Sequence, residues 1–96
     1  MAEKFTKYDT AAYLKTEADI IAYFDACLEE AGDDPAFIAH ALGVIARARG
    51  MSKVARKAGL SREGLYRALS ADGNPEFSTI LKVMRALGFR LHALPV

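Results

Sequence analysis

The stretch Met51-Ser52-Lys53-Val54-Ala55-Arg56-Lys57-Ala58-Gly59-Leu60-Ser61-Arg62-Glu63-Gly64-Leu65-Tyr66-Arg67-Ala68-Leu69-Ser70 decides the fold. Ser52 offers a capping hydroxyl for a short helix through Ala58, Gly59 breaks that helix, and Ser61 caps a further helix from Arg62 to about Leu69. Two short helices joined by a glycine turn, the second opening on polar residues, is how a helix-turn-helix looks in sequence. The pattern asks for a small residue where the helices touch, glycine at the turn, and apolar side chains wherever they pack. Ala55 meets the first demand, Gly59 the second, and Val54, Ala58, Leu60, Leu65 and Ala68 the third. Bulk at Ala55 would push the helices apart, and a Cβ at Gly59 would resist the positive φ of the turn.

The residues left over by this packing are polar. Ser61, Arg62, Glu63, Tyr66, Arg67 and Ser70 are those that a recognition helix turns toward the major groove. Arg pairs bidentately with guanine O6 and N7, Glu accepts from cytosine N4, and Tyr or Ser holds phosphate. Lys53, Lys57 and Asn74 flank that set and suit phosphate contact. Gly64 inside the second helix is worth about 1 kcal/mol less than Ala, which reads either as close approach of backbone to DNA or as a tolerated glycine. Helix pairs of this kind also occur in bundles that bind no nucleic acid, but few bundles need so polar a face.

Outward from the motif, the rest of the chain also reads as helices. Thr16 precedes the acidic first turn Glu17-Ala18-Asp19 and starts helix one, in which Ile20, Ile21, Phe24, Cys27 and Leu28 fall at helical spacing and Gly32 is the stop. Asp34-Pro35 is an N-cap with proline at the first helical position. That second helix carries Phe37, Ile38, Ala41, Leu42, Ile45 and Ala46 as far as Arg47 and Arg49, and Gly50 ends it. Asp72-Gly73-Asn74-Pro75 is a loop. Ser78 caps a last helix with Ile80, Leu81, Val83, Met84 and Leu87 as its stripe, ended by Gly88. The tail from Phe89 to Val96 alternates only as far as Ala93, which leaves a short edge strand or an extended arm. Residues 1–15, with Phe5, Tyr8 and Tyr13, read as an N-terminal arm, and residues 16–96 as a single helical DNA-binding domain with its helix-turn-helix at 51–70.

Ninety-six residues allow one core. A single cysteine, Cys27, rules out an internal disulfide scaffold and a zinc finger, and fits a reducing cytoplasm. No apolar run spans a bilayer, and Met1-Ala2-Glu3-Lys4-Phe5 lacks a signal-peptide core, so a cytoplasmic location without membrane contact is expected. The net charge of +1 hides an asymmetry. Through His40 the chain holds three Lys against nine Asp or Glu, a net of −6, and from Ala41 onward three Lys and seven Arg against three acids, a net of +7. An Arg-rich half is what phosphate binding requires, and an acidic half points to a second, different partner, or to solvated surface.

At this point the chain resembles a known family, the addiction-module antidote proteins, also described as HigA-like antitoxins, within the lambda-repressor-like (Xre) helix-turn-helix class. The segments that carry the likeness are Ala46-Arg47-Ala48-Arg49-Gly50-Met51-Ser52, Gly59-Leu60-Ser61-Arg62-Glu63-Gly64-Leu65-Tyr66, Gly73-Asn74-Pro75 and Arg85-Ala86-Leu87-Gly88. The resemblance implies an all-α domain of about five helices, a homodimer on a palindromic double-stranded DNA operator, and a RelE-like toxin as protein partner. One departure matters. Many members of the wider class begin the first motif helix with Thr-Gln, two residues further from its Ala than here, whereas Ser52-Lys53 leads directly to Val54-Ala55. The glutamine contact does not carry over, and Ser52 or Lys53 takes its place.

An enzyme would need a convergent acid, base or nucleophile, and the candidates Cys27, His40 and His92 are scattered without a catalytic motif, so neither catalysis nor a cofactor or metal is expected. The competing reading is a free-standing helix-turn-helix repressor without a toxin. The acidic front half separates the two, with Asp19, Asp25, Glu29, Glu30, Asp33 and Asp34 set to face a basic toxin. A reading head this small covers only a few base pairs, so a dimer must present two of them about 34 Å apart. The last helix and tail are the expected seam.

Overall fold

Thr16 and Asp19 close a reciprocal capping box at the start of the first long helix. The Asp19 N–H donates to Thr16 Oγ1 at 3.1 Å, and Asp19 Oδ2 accepts the Thr16 and Lys15 N–H groups at 3.1 and 3.2 Å. The bonds from the Thr16 and Lys15 backbone hold the Asp19 carboxyl below its ordinary value. The computed structural model describes residues 11–70 and 73–96. Residues 11–13 are helical, and α1 (Glu17–Ala31) follows the capping box. α2 (Pro35–Arg49) starts at Asp34, whose Oδ1 accepts the Ala36 and Phe37 N–H groups at 3.1 and 3.3 Å. Then come α3 (Met51–Ala58), α4 (Arg62–Ala68) and α5 (Phe77–Ala86). Every regular element among the described residues is helical. Phe5 and Tyr8 of the expected arm, and Asp72 of the expected loop, lie outside the described residues.

The architecture is a helix-turn-helix-like domain built around α2 and α3. α2 packs against α1, α3 and α5, and α3 packs against α2, α4 and α5. Burial along α2 is therefore nearly all round, with Ala39 and every residue from Ala41 to Ala46 inside. Leu42 and Ile45 of α2 meet Leu65 of α4 and Val83 of α5 at the centre, all fully buried. Each such side chain contributes roughly 1.5–3 kcal/mol of apolar burial. Leu65 is the anchor that fixes which face of the short α4 points away.

Four expectations need correction or resolution. Ser52 does not cap α3, because Gly50, at φ +104°, serves as C-cap of α2 and N-cap of α3 at once. The Gly50 N–H donates to the Arg47 carbonyl at 3.3 Å, and its own carbonyl accepts the Val54 N–H at 3.0 Å, so the helix starts at Met51 without help from a hydroxyl. Ser78 does not cap α5 either. The chain leaves Pro75 extended at Glu76, whose carbonyl accepts the Ile80 N–H at 3.1 Å and begins the helix one residue before Ser78.

The third correction concerns α1. Only Ile20, Phe24 and Cys27 are buried there, while Ile21 and Leu28 are 52% and 42% exposed. α1 packs chiefly against α2, which covers one narrow stripe. Finally, the tail forms no strand, and Leu91, Leu94 and Val96 are exposed. Its hold on the domain is Phe89, whose N–H donates to the Met84 carbonyl at 2.8 Å and whose ring stacks on Phe24.

Candidate nucleic-acid interface

The turn between α3 and α4 is built from backbone. Gly59 sits at φ +75°, ψ 29°, the left-handed region that an L side chain resists. Its N–H donates to the Arg56 carbonyl at 3.2 Å, and the Leu60 N–H donates to the Ala55 carbonyl at 2.9 Å. Ala55 is 3% exposed, the small buried residue the pattern asks for. Ser61 caps α4, its Oγ accepting the Gly64 N–H at 2.9 Å. That bond also accounts for Gly64. A Cβ there would stand 3.0 Å from Ser61 Oγ, so the glycine leaves room for the cap of its own helix.

With Leu65 buried, α4 turns Arg62, Glu63, Tyr66 and Arg67 to solvent, and Ser61 is exposed at its start. Tyr66 is 66% exposed, a large aromatic standing clear of the core. Ser70 is half-buried, and its hydroxyl donates to the Arg67 carbonyl at 2.8 Å, which leaves its oxygen lone pairs to accept. Tyr66 and Ser70 line a cleft of about 200 Å³ together with His40, Arg47 and Met51. Lys53 and Lys57 line a different cleft, of about 610 Å³, with Arg49, Arg85 and Glu17. Ser52 and Asn74 are exposed and line neither of these two clefts.

The expected residues thus fall into two groups, one on the outward face of α4 and at its ends and one along α3, while Asn74, in the stretch before α5, belongs to neither. Arg47, Arg49 and Arg85 join them and were not among the expected site residues. Arg47 and Arg49 were legible only as cations at a helix end, and nothing local says that Arg47 reaches the Tyr66 cleft or that Arg85 reaches α3. The expected acids Asp19, Asp25, Glu29, Glu30, Asp33 and Asp34 are all exposed on α1 and the turn after it. Two of them have structural work as caps, Asp19 on α1 and Asp34 on α2, so Asp25, Glu29, Glu30 and Asp33 remain as surface charge beside Ile21 and Leu28. Among the described residues there is no cluster of three or more His, Cys, Asp or Glu that suits a metal ion, and no helix long and apolar enough to cross a membrane.

A family profile described as "Probable addiction module antidote protein" matches residues 4–95. The chain belongs to that family. An uncharacterized protein of Haemophilus influenzae is 50% identical over 90 residues, which cover 94% of this chain and 91% of that one. No solved structure gives a significant match. In this addiction module antidote α1 and the turn after it belong to the net-acidic first half, α3, α4 and α5 belong to the net-basic second half, and α2 straddles the division.

Proposed function

We propose that this antidote is the antitoxin of a type II toxin–antitoxin module, of the HigA-like, Xre helix-turn-helix kind, acting in the cytoplasm. It binds a palindromic operator as a homodimer, represses its own transcription and neutralises a RelE-like toxin. It is a binding protein and carries no catalytic centre. The observation that carries the DNA half of the reading is the outward face of α4, where Arg62, Glu63, Tyr66 and Arg67 are exposed on a helix whose opposite side is pinned by the fully buried Leu65. Arg62, Glu63 and Arg67 read bases, while Ser61, Tyr66 and Ser70, with Ser52, Lys53, Lys57 and Asn74 at the flanks, hold phosphates. The toxin half rests on family membership and on the acidic, partly apolar surface of α1, where Ile21 and Leu28 stand beside Asp25 and Glu29.

Fluorescence anisotropy on the protein's own promoter fragment and on a scrambled duplex, over a series of salt concentrations, tests the DNA half. Tighter binding to the promoter with a steep salt slope is expected. Equal binding to both duplexes, or none, would make α3 and α4 a packing unit inside a protein-interaction module. Operator binding without capture of a toxin encoded beside the gene would leave the free-standing repressor.

A further inference from the structure

The cleft of about 610 Å³ gathers four cations from three helices: Arg49 from the end of α2, Lys53 and Lys57 from α3, and Arg85 from the end of α5. Lys53 and Lys57 are four residues apart and share one side of α3. Among the described residues the single carboxylate in the cleft is Glu17, the first residue of α1, which accepts a hydrogen bond from Arg49 Nη2 at 2.8 Å. Three of the four cations are left without an ion pair among the described residues. Apolar Val54 and Leu87, both buried, form part of its wall. A concave site lined by one sign of charge over low-dielectric walls focuses its field outward and concentrates counter-ions. Cations drawn from three separate elements match a chain of negative groups better than one isolated anion.

We infer that this cleft binds a run of phosphate groups, with Lys53, Lys57 and Arg85 as standing contacts and Arg49 recruited from Glu17 as the anion arrives. The Arg49–Glu17 pair is suited to that exchange. Its side chains are 37% and 60% exposed, and a solvent-exposed ion pair is easily given up for a phosphate. Glu17 is thereby a built-in competitor for the fourth contact. The phosphates have two possible sources, the backbone of a DNA duplex and a free polyphosphate or nucleotide. The first extends the proposed role of Lys53 and Lys57 and rests on that reading. The second does not depend on it.

Amide NMR titrations of the full chain with sodium tripolyphosphate, and separately with a short random-sequence duplex, test the inference. Tripolyphosphate is expected to give saturable shifts at Lys53, Lys57, Arg85 and Gly88. The double substitution Lys53→Gln, Lys57→Gln weakens that binding by about tenfold, while Glu17→Gln, which frees Arg49, tightens it by about twofold to fivefold. Arg90→Gln, a cation of the exposed tail outside the cleft, leaves it unchanged. A duplex that displaces tripolyphosphate from these amides identifies the DNA backbone as the source, and one that binds without displacing it identifies a free polyanion. Non-saturating shifts spread equally over Arg62, Arg67 and Arg90, or a Glu17→Gln variant that binds no tighter than the parent, would overturn the proposal. Since the tripolyphosphate arm contains no DNA, its failure is distinct from failure of the operator reading.

Discussion

The ring of Phe89 lies on that of Phe24, centroids 5.3 Å apart and planes 16° from parallel, and so joins the chain beyond α5 to α1. Phe24 is buried and Phe89 half-buried, so this stack ties the chain beyond α5 to the buried stripe of α1. Phe89→Ala is expected to destabilise the domain by about 2 kcal/mol, from lost area and lost ring stacking together. Urea unfolding checks it. The midpoint should fall while the slope with denaturant holds. An unchanged midpoint would mean that the stack contributes nothing.

Two glycines, one in the turn between α3 and α4 and one in α4, have different physics and should respond differently to alanine. Gly59→Ala meets open space but places a Cβ at φ +75°, and should lose roughly 1–2 kcal/mol from backbone strain alone. Gly64→Ala gains helix propensity but crowds Ser61 Oγ at 3.0 Å, two effects of about 1 kcal/mol that oppose each other. Once Ser61→Ala has removed the cap oxygen, Gly64→Ala should stabilise by about 1 kcal/mol. A double-mutant cycle by thermal or urea unfolding reads the coupling directly, and a zero coupling would detach Gly64 from the cap.

The base reading proposed for α4 has its own signature. Arg62→Ala should weaken operator binding by about 1–3 kcal/mol and relax preference at one base pair. Lys57→Gln should instead weaken all duplexes alike and lower the slope of log K against log salt by about 1. Anisotropy with single-base operator variants distinguishes them. Equal weakening on every sequence for Arg62→Ala would make Arg62 a phosphate contact.

Tyr23 and Cys27 are one turn apart on α1, and both resist ionisation. Burial, reinforced by the charge of and hydrogen bond to Cys27, pushes the Tyr23 hydroxyl from its ordinary 10 up to about 12. Burial also pushes the Cys27 thiol up. In both cases the folded state holds its proton where the unfolded chain has released it. Stability conferred by the neutral forms is therefore present below pH 9 and declines as pH rises, first through the thiol and then between about 10 and 12 through Tyr23. Tyr23→Phe should flatten the upper part of that decline in urea titrations. At pH 8 the buried thiol should react with an aromatic disulfide reagent far more slowly in the native protein than in denaturant.

What could be read from the sequence was whatever is decided within a few residues. Thr16, Asp34 and Ser61 announce their helices because a cap bonds two or three residues ahead, and Gly59 announces the turn because the left-handed conformation is local. Ser52 and Ser78 misled for the same reason turned round. Each is a good cap by type, but Gly50 and Glu76 had already started the helix upstream. Ile21 and Leu28 have helical spacing, yet spacing does not say how much of a helix its neighbours cover, and α1 packs chiefly on α2. The contact of Arg49 with Glu17 spans 32 residues, and the meeting of Lys53 with Arg85 depends on how α5 lies across α3; no local pattern encodes either.

The exposed pair Ile21 and Leu28 gives the most direct test of toxin neutralisation. Ile21 and Leu28 lie two turns apart on α1 with Asp25 between them, and Glu29 and Glu30 follow. Because both apolar side chains are already exposed, Ile21→Ala with Leu28→Ala should change unfolding stability by no more than about 0.5 kcal/mol. If this face holds the toxin, the same double variant should weaken capture by about 2 kcal/mol or more, since apolar anchors at the centre of an interface dominate its energy. Replacing Asp25, Glu29, Glu30 and Asp33 by their amides should act differently, slowing association and flattening its salt dependence while leaving dissociation nearly unchanged, because rim charges steer encounter. Surface-immobilised toxin encoded beside the gene, probed with both variants over a salt series, separates the two contributions. Loss of apolar anchors without loss of affinity would move the toxin to another face of the domain. Unchanged association after neutralising the four acids would leave the −6 of the first half as a solubilising surface and remove charge from the account of partner choice.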